Sequence, residues 1–243
     1  MMIRHPSLCC AVISCVVHLC VAVVEGIAAA TQLTHLHCAW EERASLDPRP
    51  WGAEGDFSSI LASKLPQLPR LQHLTLACSN ISSDIQQAFC SVFAGMPQLR
   101  SLNLLKFWGL TAQDVKQYIC RLTGLTQLGL QYDCSTEPSE EEDAWDNELQ
   151  QFPAAAESVR ALQRLADRMP ELQSLELNAD REFVDWDVLP VLQSPAWPQL
   201  QEVTLNFEAP PHYVNAKELR AAESLVQQVM AARAGLRVHL GLF

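Results

Sequence analysis

The chain has 243 residues, room for one large domain or two small ones. Apolar residues make up 49% of it, which supports a buried core and excludes a chain disordered throughout. The formal net charge of −11 excludes non-specific nucleic-acid binding, which needs a surplus of Lys and Arg.

Residues 1–30 form an apolar N-terminal segment. Arg4 gives a short positive start, residues 8–24 are apolar apart from Ser14 and His18, and Ala28, Ala29 and Ala30 suit a cleavage site. The segment reads as a secretory signal peptide or, uncleaved, as a membrane anchor with the rest of the chain outside. The alternative is the buried helix of a truncated first repeat, because the stretch from Gly26 to Leu33 aligns with the ends of later helices. A helix apolar all round is unusual as the first element of a repeat array, which favours the leader. The expected location is therefore secreted or membrane-anchored, with the cytoplasm as the alternative. Contact with a membrane is expected only if the anchor is retained.

From residue 31 to residue 243 one pattern recurs: Leu, two variable residues, Leu, one variable residue, Leu. Copies begin at Leu33, Leu71, Leu99, Leu125, Leu172 and Leu200. Sixteen of the eighteen apolar slots are leucine, and the exceptions are Cys38 and Val203. An apolar residue stands three places before each first Leu: Ala30, Leu68, Met96, Leu122, Met169 and Trp197. In four copies proline follows it (Pro69, Pro97, Pro170, Pro198) and stops the preceding helix. Copies are spaced 38, 28, 26, 47 and 28 residues apart, and a period near 28 holds one short strand and one helix.

The helical halves follow in order. One opens near Ser82 or Ser83, which can cap it, and a second opens near Thr111 with Asp114 as an imperfect capping box. The last opens near Asn215 and carries Leu219, Leu225 and Met230 on roughly one face. The terminal LRVHLGLF predicts a final strand. Two copies are stretched. The first holds a turn-rich loop after Glu41. The fourth holds an acidic insertion around 133–152, with eight acids between Asp133 and Glu148, which reads as a solvated loop or as an arm that steers a basic partner.

This pattern resembles the leucine-rich repeat, and its period resembles the ribonuclease-inhibitor-type subclass. The resemblance covers about 33–243. It implies an α/β fold: a curved solenoid with a parallel β-sheet on the concave face and helices on the convex face. The ninth template position, usually Asn or Cys in that family, is here Glu41, Ser79, Phe107, Asp133, Asp180 and Glu208. Phe107 supplies no polar contact, so an irregular third turn is expected.

In such strands, template positions three, five and seven share the concave face. The candidate binding residues there are His35, His37, His73, Thr75, Asn103, Gln127, Gln131, Glu176, Asn178, Glu202 and Asn206. His35 and His73 are expected as cross-strand neighbours. No acid or thiol on that face completes a coordination set with them, so no metal and no cofactor is expected. Trp40, Tyr132 and Phe207 sit at strand exits as turn packing or partner anchors, and Trp108 and Trp145 belong to loops. Cleavage after residue 30 would leave Cys38, Cys78, Cys90, Cys120 and Cys134, an odd number unlike a disulfide framework. Asn80-Ile81-Ser82 is a glycan acceptor if the chain is secreted.

The chain has no Gly-rich phosphate loop, no HExxH, no GxSxG and no Cys-x-x-Cys. The expected function is non-enzymatic recognition of a protein partner, with no nucleic acid involved. The alternative is an adaptor or substrate-receptor fragment of a larger assembly such as a ubiquitin ligase.

Overall fold

The computed structural model describes residues 10–14, 26–27, 29–41, 57–79, 83–105, 112–132, 152–179, 188–207 and 216–242. Eight strands form one sheet: β1 (Cys10–Ser14), β2 (His35–Glu41), β3 (His73–Ser79), β4 (Ser101–Leu105), β5 (Gln127–Tyr132), β6 (Ser174–Ala179), β7 (Glu202–Phe207) and β8 (Arg237–Leu242). They lie in chain order and every pair is parallel. The sheet is open, not closed into a barrel. Between β2 and β8 the helices are α1 (Phe57–Lys64), α2 (Ser83–Phe93), α3 (Ala112–Gln117), α4 (Phe152–Arg168), α5 (Val188–Val191) and α6 (Ala216–Ala232).

The six template copies all become strands, and each strand begins at the third template position. A shared turn sets that start. The amide of the first template Leu donates to the carbonyl three residues back: Leu71 to Leu68, Leu99 to Met96, Leu125 to Leu122, Leu172 to Met169, Leu200 to Trp197. Pro69, Pro97, Pro170 and Pro198 occupy the second place of these turns, where a fixed φ near −65° is preferred. Proline therefore does more than stop a helix: it starts the turn into the strand.

Register between repeats is fixed by a second recurring contact. The carbonyl of the second template residue accepts two amides from the next repeat. Thr34 accepts from Gln72 and His73, Gln72 from Arg100 and Ser101, and Arg100 from Thr126 and Gln127. Thr126 and Gln173 continue the series. Like positions then lie side by side: His35 with His73, Leu36 with Leu74, Asn103 with Gly129.

One sheet face is dry. Leu36, Cys38, Leu74, Leu76, Leu102, Leu104, Leu128, Leu130, Leu175, Val203 and Leu205 are buried, and they join one core with Leu61, Phe89, Phe93, Leu165 and Val229 of the helices. Fully burying a Leu side chain contributes about 1.5–3 kcal/mol, so the regular template is itself the main source of stability. In α2 the buried face is Phe89, Cys90 and Phe93; in α4 it is Ala161, Leu162, Leu165 and Ala166. Both follow the i, i+4 spacing of one helix side. In α6 the buried stripe is Ala222, Val226 and Val229, while Leu225 and Met230 are only half-buried. The expected stripe is thus rotated, because the smaller residues keep the i, i+4, i+7 spacing that 219, 225 and 230 do not.

Cys38, Cys78, Cys90 and Cys120 are buried and none of them is in a disulfide, so Cys90 and Cys120, which fall on neighbouring helical segments and could have paired, are not joined. The terminal strand expected from LRVHLGLF is present as β8. Within the apolar N-terminal segment, residues 10–14 form strand β1, in register with β2 from Cys10 beside His35 to Ser14 beside Ala39. Among the described residues no helix is long and apolar enough to cross a membrane. The rest of that segment's first 25 residues, the caps at Ser82, Thr111 and Asn215, Phe107, Trp108, Cys134, Trp145, the Asn80 acceptor and the insertion at 133–151 lie outside the described residues. So do the side chains of Trp40, Tyr132 and Phe207.

Candidate functional site

The second sheet face carries the odd template positions. In β4 the alternation is complete: Leu102 and Leu104 are buried, while Ser101, Asn103 and Leu105 on the other side are half-buried. Period-two alternation of this kind puts one face on the core and one toward water. All eleven candidate residues fall at these positions. His35 and Gln127 are exposed, and His37, His73, Thr75, Asn103, Glu176, Asn178, Glu202 and Asn206 are half-buried. Gln131 differs: it is buried, 6% exposed, and is part of the packing more than of an accessible surface.

Register sorts the face into rows across the sheet. The position-three row runs His35, His73, Ser101, Gln127, Ser174, Glu202 and then Arg237. The position-five row runs His37, Thr75, Asn103, Gly129, Glu176, Thr204 and then His239. Chemistry changes along both rows, from imidazole at β2 through hydroxyl and amide to a carboxylate at β6 or β7, and back to a basic group at β8.

At the imidazole end, the rings of His35 and His73 stack with centroids 4.1 Å apart and planes 7° from parallel. Thr34 Oγ1 lies 2.9 Å from His35 Nδ1. Burial, and after it the adjacent His35, hold His73 below the ordinary histidine value of 6.5. The expected cross-strand histidine pair is therefore formed. Among the described residues no group of three or more His, Cys, Asp or Glu could hold a metal ion.

At the carboxylate end, three amide and carboxylate side chains form a closed set. Asn206 Nδ2 donates to Asn178 Oδ1 at 2.8 Å and to Glu176 Oε1 at 3.1 Å, and Asn178 Nδ2 donates to Glu176 Oε1 at 3.4 Å. Glu202 Oε1 lies 3.4 Å from His239 Nε2, an ion pair when that imidazole is protonated. Arg237 and His239 were not among the residues expected on this face, because β8 departs from the template: Gly235 stands where the other copies have their first Leu.

Between the two ends Gly129 leaves a gap, and Asn103 fills it. A β-carbon added to Gly129 would lie 2.3 Å from Asn103 Oδ1. That oxygen is buried and has no hydrogen-bond partner. An unpaired buried acceptor costs about 1–3 kcal/mol, so the position is tolerated against stability. The template sets a glycine beside an amide in one row, which is legible, but the orphaned oxygen depends on the rotamer of Asn103. Compared with known proteins, the chain matches no family model and no curated protein in sequence.

Proposed function

We propose that the chain is a leucine-rich-repeat module, resembling the ribonuclease-inhibitor-type subclass, that binds a protein partner without catalysing a reaction. The array would curve with its helices outside, and the polar sheet face would be the concave recognition surface. One observation carries this reading. Six parallel strands present hydroxyl, amide, imidazole and carboxylate groups in straight rows, while their other face is sealed by leucine. A half-buried polar surface of this size has no use in core packing, and stacked repeats suit such surfaces to extended contacts. The residues that would contact the partner are His35, His37, His73, Thr75, Asn103, Gln127, Glu176, Asn178, Glu202 and Asn206.

The test is site-specific photo-cross-linking. A photoreactive residue at Gln127, on the open face, should capture one defined protein from the cells that make the chain. The same residue at Gln87, exposed on α2, should not capture it. Affinity for that protein should then fall at least tenfold in a Gln127→Arg, Ser174→Arg variant of unchanged Tm. Capture at Gln87 alone, or unchanged affinity in the variant, overturns the reading.

A further inference from the structure

The middle of the open face holds acceptors that lack donors. Glu176 is oriented from one side only: its Oε1 receives the amides of Asn178 and Asn206, and its Oε2 has no partner among the described residues. In the same row, two strands away, Asn103 Oδ1 is unpaired. Gly129 lies between them in register with both and contributes no side chain. The donors nearest Glu176, on Asn178 and Asn206, are already engaged. We infer that this place is a subsite for the guanidinium group of an arginine on the partner protein. The inference rests on the recognition-face reading above and adds the chemistry of the residue received.

Three physical facts converge on a guanidinium. Asn103 Oδ1 and Glu176 Oε2 are both acceptors, and one belongs to a carboxylate, which suits a cationic donor. Asn103 Oδ1 rests over Gly129, which leaves about one strand spacing, about 4.8 Å, to the Glu176 strand. A planar fork of several N–H groups reaches acceptors on both sides of such a gap, whereas an ammonium is a compact point charge. Rotation about the Asn103 side chain raises its oxygen from the glycine gap to meet that fork, and the unpaired acceptor is then satisfied.

The experiment titrates N-acetyl-L-argininamide into the full chain and follows the side-chain amide signals of Asn103, Asn178 and Asn206 by NMR. N-acetyl-L-lysinamide and the uncharged citrulline analogue serve as comparisons. Saturable shifts at those three amides are expected with the arginine probe, with affinity at least threefold weaker for the lysine probe and none for citrulline. Glu176→Gln should lower the affinity at least tenfold, and Asn103→Ala should lower it with Tm unchanged or raised. Equal response to lysine, shifts indifferent to Glu176→Gln, or no saturable shift overturns the subsite. Partner cross-links at Gln127 with no arginine response overturn the subsite and leave the recognition face standing. Absence of partner cross-links on that face overturns the reading beneath it.

Discussion

His35 and His73 stack across β2 and β3 with their ring centroids 4.1 Å apart. Thr34 and Ser101 flank them with hydroxyls, and His37 lies one position further along the face. A proton on one ring opposes a proton on the other at this distance. His73 is accordingly held below 6.5, by burial first and by His35 second. Its unfolded form takes up a proton more readily than its folded form. The associated stability is complete above pH 6.5 and is lost as pH falls from there through the folded value. An NMR titration should place the His73 midpoint below 6.5. In His35→Ala the midpoint should rise yet stay below the ordinary value, because burial remains. A wild-type midpoint at or above 6.5 would contradict this account.

Asn103 and Gly129 should be energetically coupled. Asn103→Ala removes an unpaired buried oxygen, so stability should hold or rise by about 1 kcal/mol. Gly129→Ala in the wild type must push the Asn103 amide aside. In the Asn103→Ala background that collision is gone, and the same change should stabilise by about 0.4–1 kcal/mol by restricting the unfolded chain. Urea unfolding of the four proteins should give a coupling of about 1 kcal/mol, and additivity within about 0.3 kcal/mol would sink the claim.

Burial pushes the thiols of Cys38 and Cys90 up to about 12, and that of Cys120 to about 11. At neutral pH none of the three is a thiolate, the form that reacts. Iodoacetamide followed by peptide mass mapping should leave all three unlabelled in the folded protein and label them in urea. Rapid native labelling of Cys38 would show that the β2 core is not closed.

Gly235 has φ of 91°, and Leu236 N–H donates to the Arg233 carbonyl across it. Gly235 is opposite the first Leu by strand register but holds the third place of its turn, where the earlier turns have Arg70, Gln98, Gly124, Glu171 and Gln199, and this turn needs a left-handed residue there. Gly235→Ala should cost about 1 kcal/mol, and Arg70→Ala at the matching place in an earlier turn should cost less than about 0.5 kcal/mol. Equal effects in thermal unfolding would remove the distinction.

The leucine template located six strands and their register, because period-two alternation and a fixed turn length allow one register. It also set the candidate residues at the odd positions of their strands, since side-chain direction follows from register, but it missed Arg237 and His239 on β8. The first strand escaped it. Yet Pro6-Ser7-Leu8, Ala11 and Ile13 keep the proline-to-leucine spacing and the apolar slots of the later copies. Cysteine and valine at the intervening positions hid the alternation under continuous apolarity. The Asn103 contact and the Asn206 hydrogen bonds were illegible for a different reason: they depend on rotamers chosen by neighbours up to thirty residues away. The burial of Gln131, at a position that the pattern marks as open, belongs to the same class.

Because Thr34, Gln72, Arg100, Thr126 and Gln173 each receive the next repeat in the same two-amide grip, the units are interchangeable at their seams. Excising one whole unit, from Ser101 to Thr126, would bring Gln127 against His73 with leucine still beside leucine. Such a chain would be shorter by a rung and lose Asn103, while its remaining rows stayed straight. Length in this molecule is thus a countable quantity, and the chemical text on its open face can be edited by deletion without rewriting what is left.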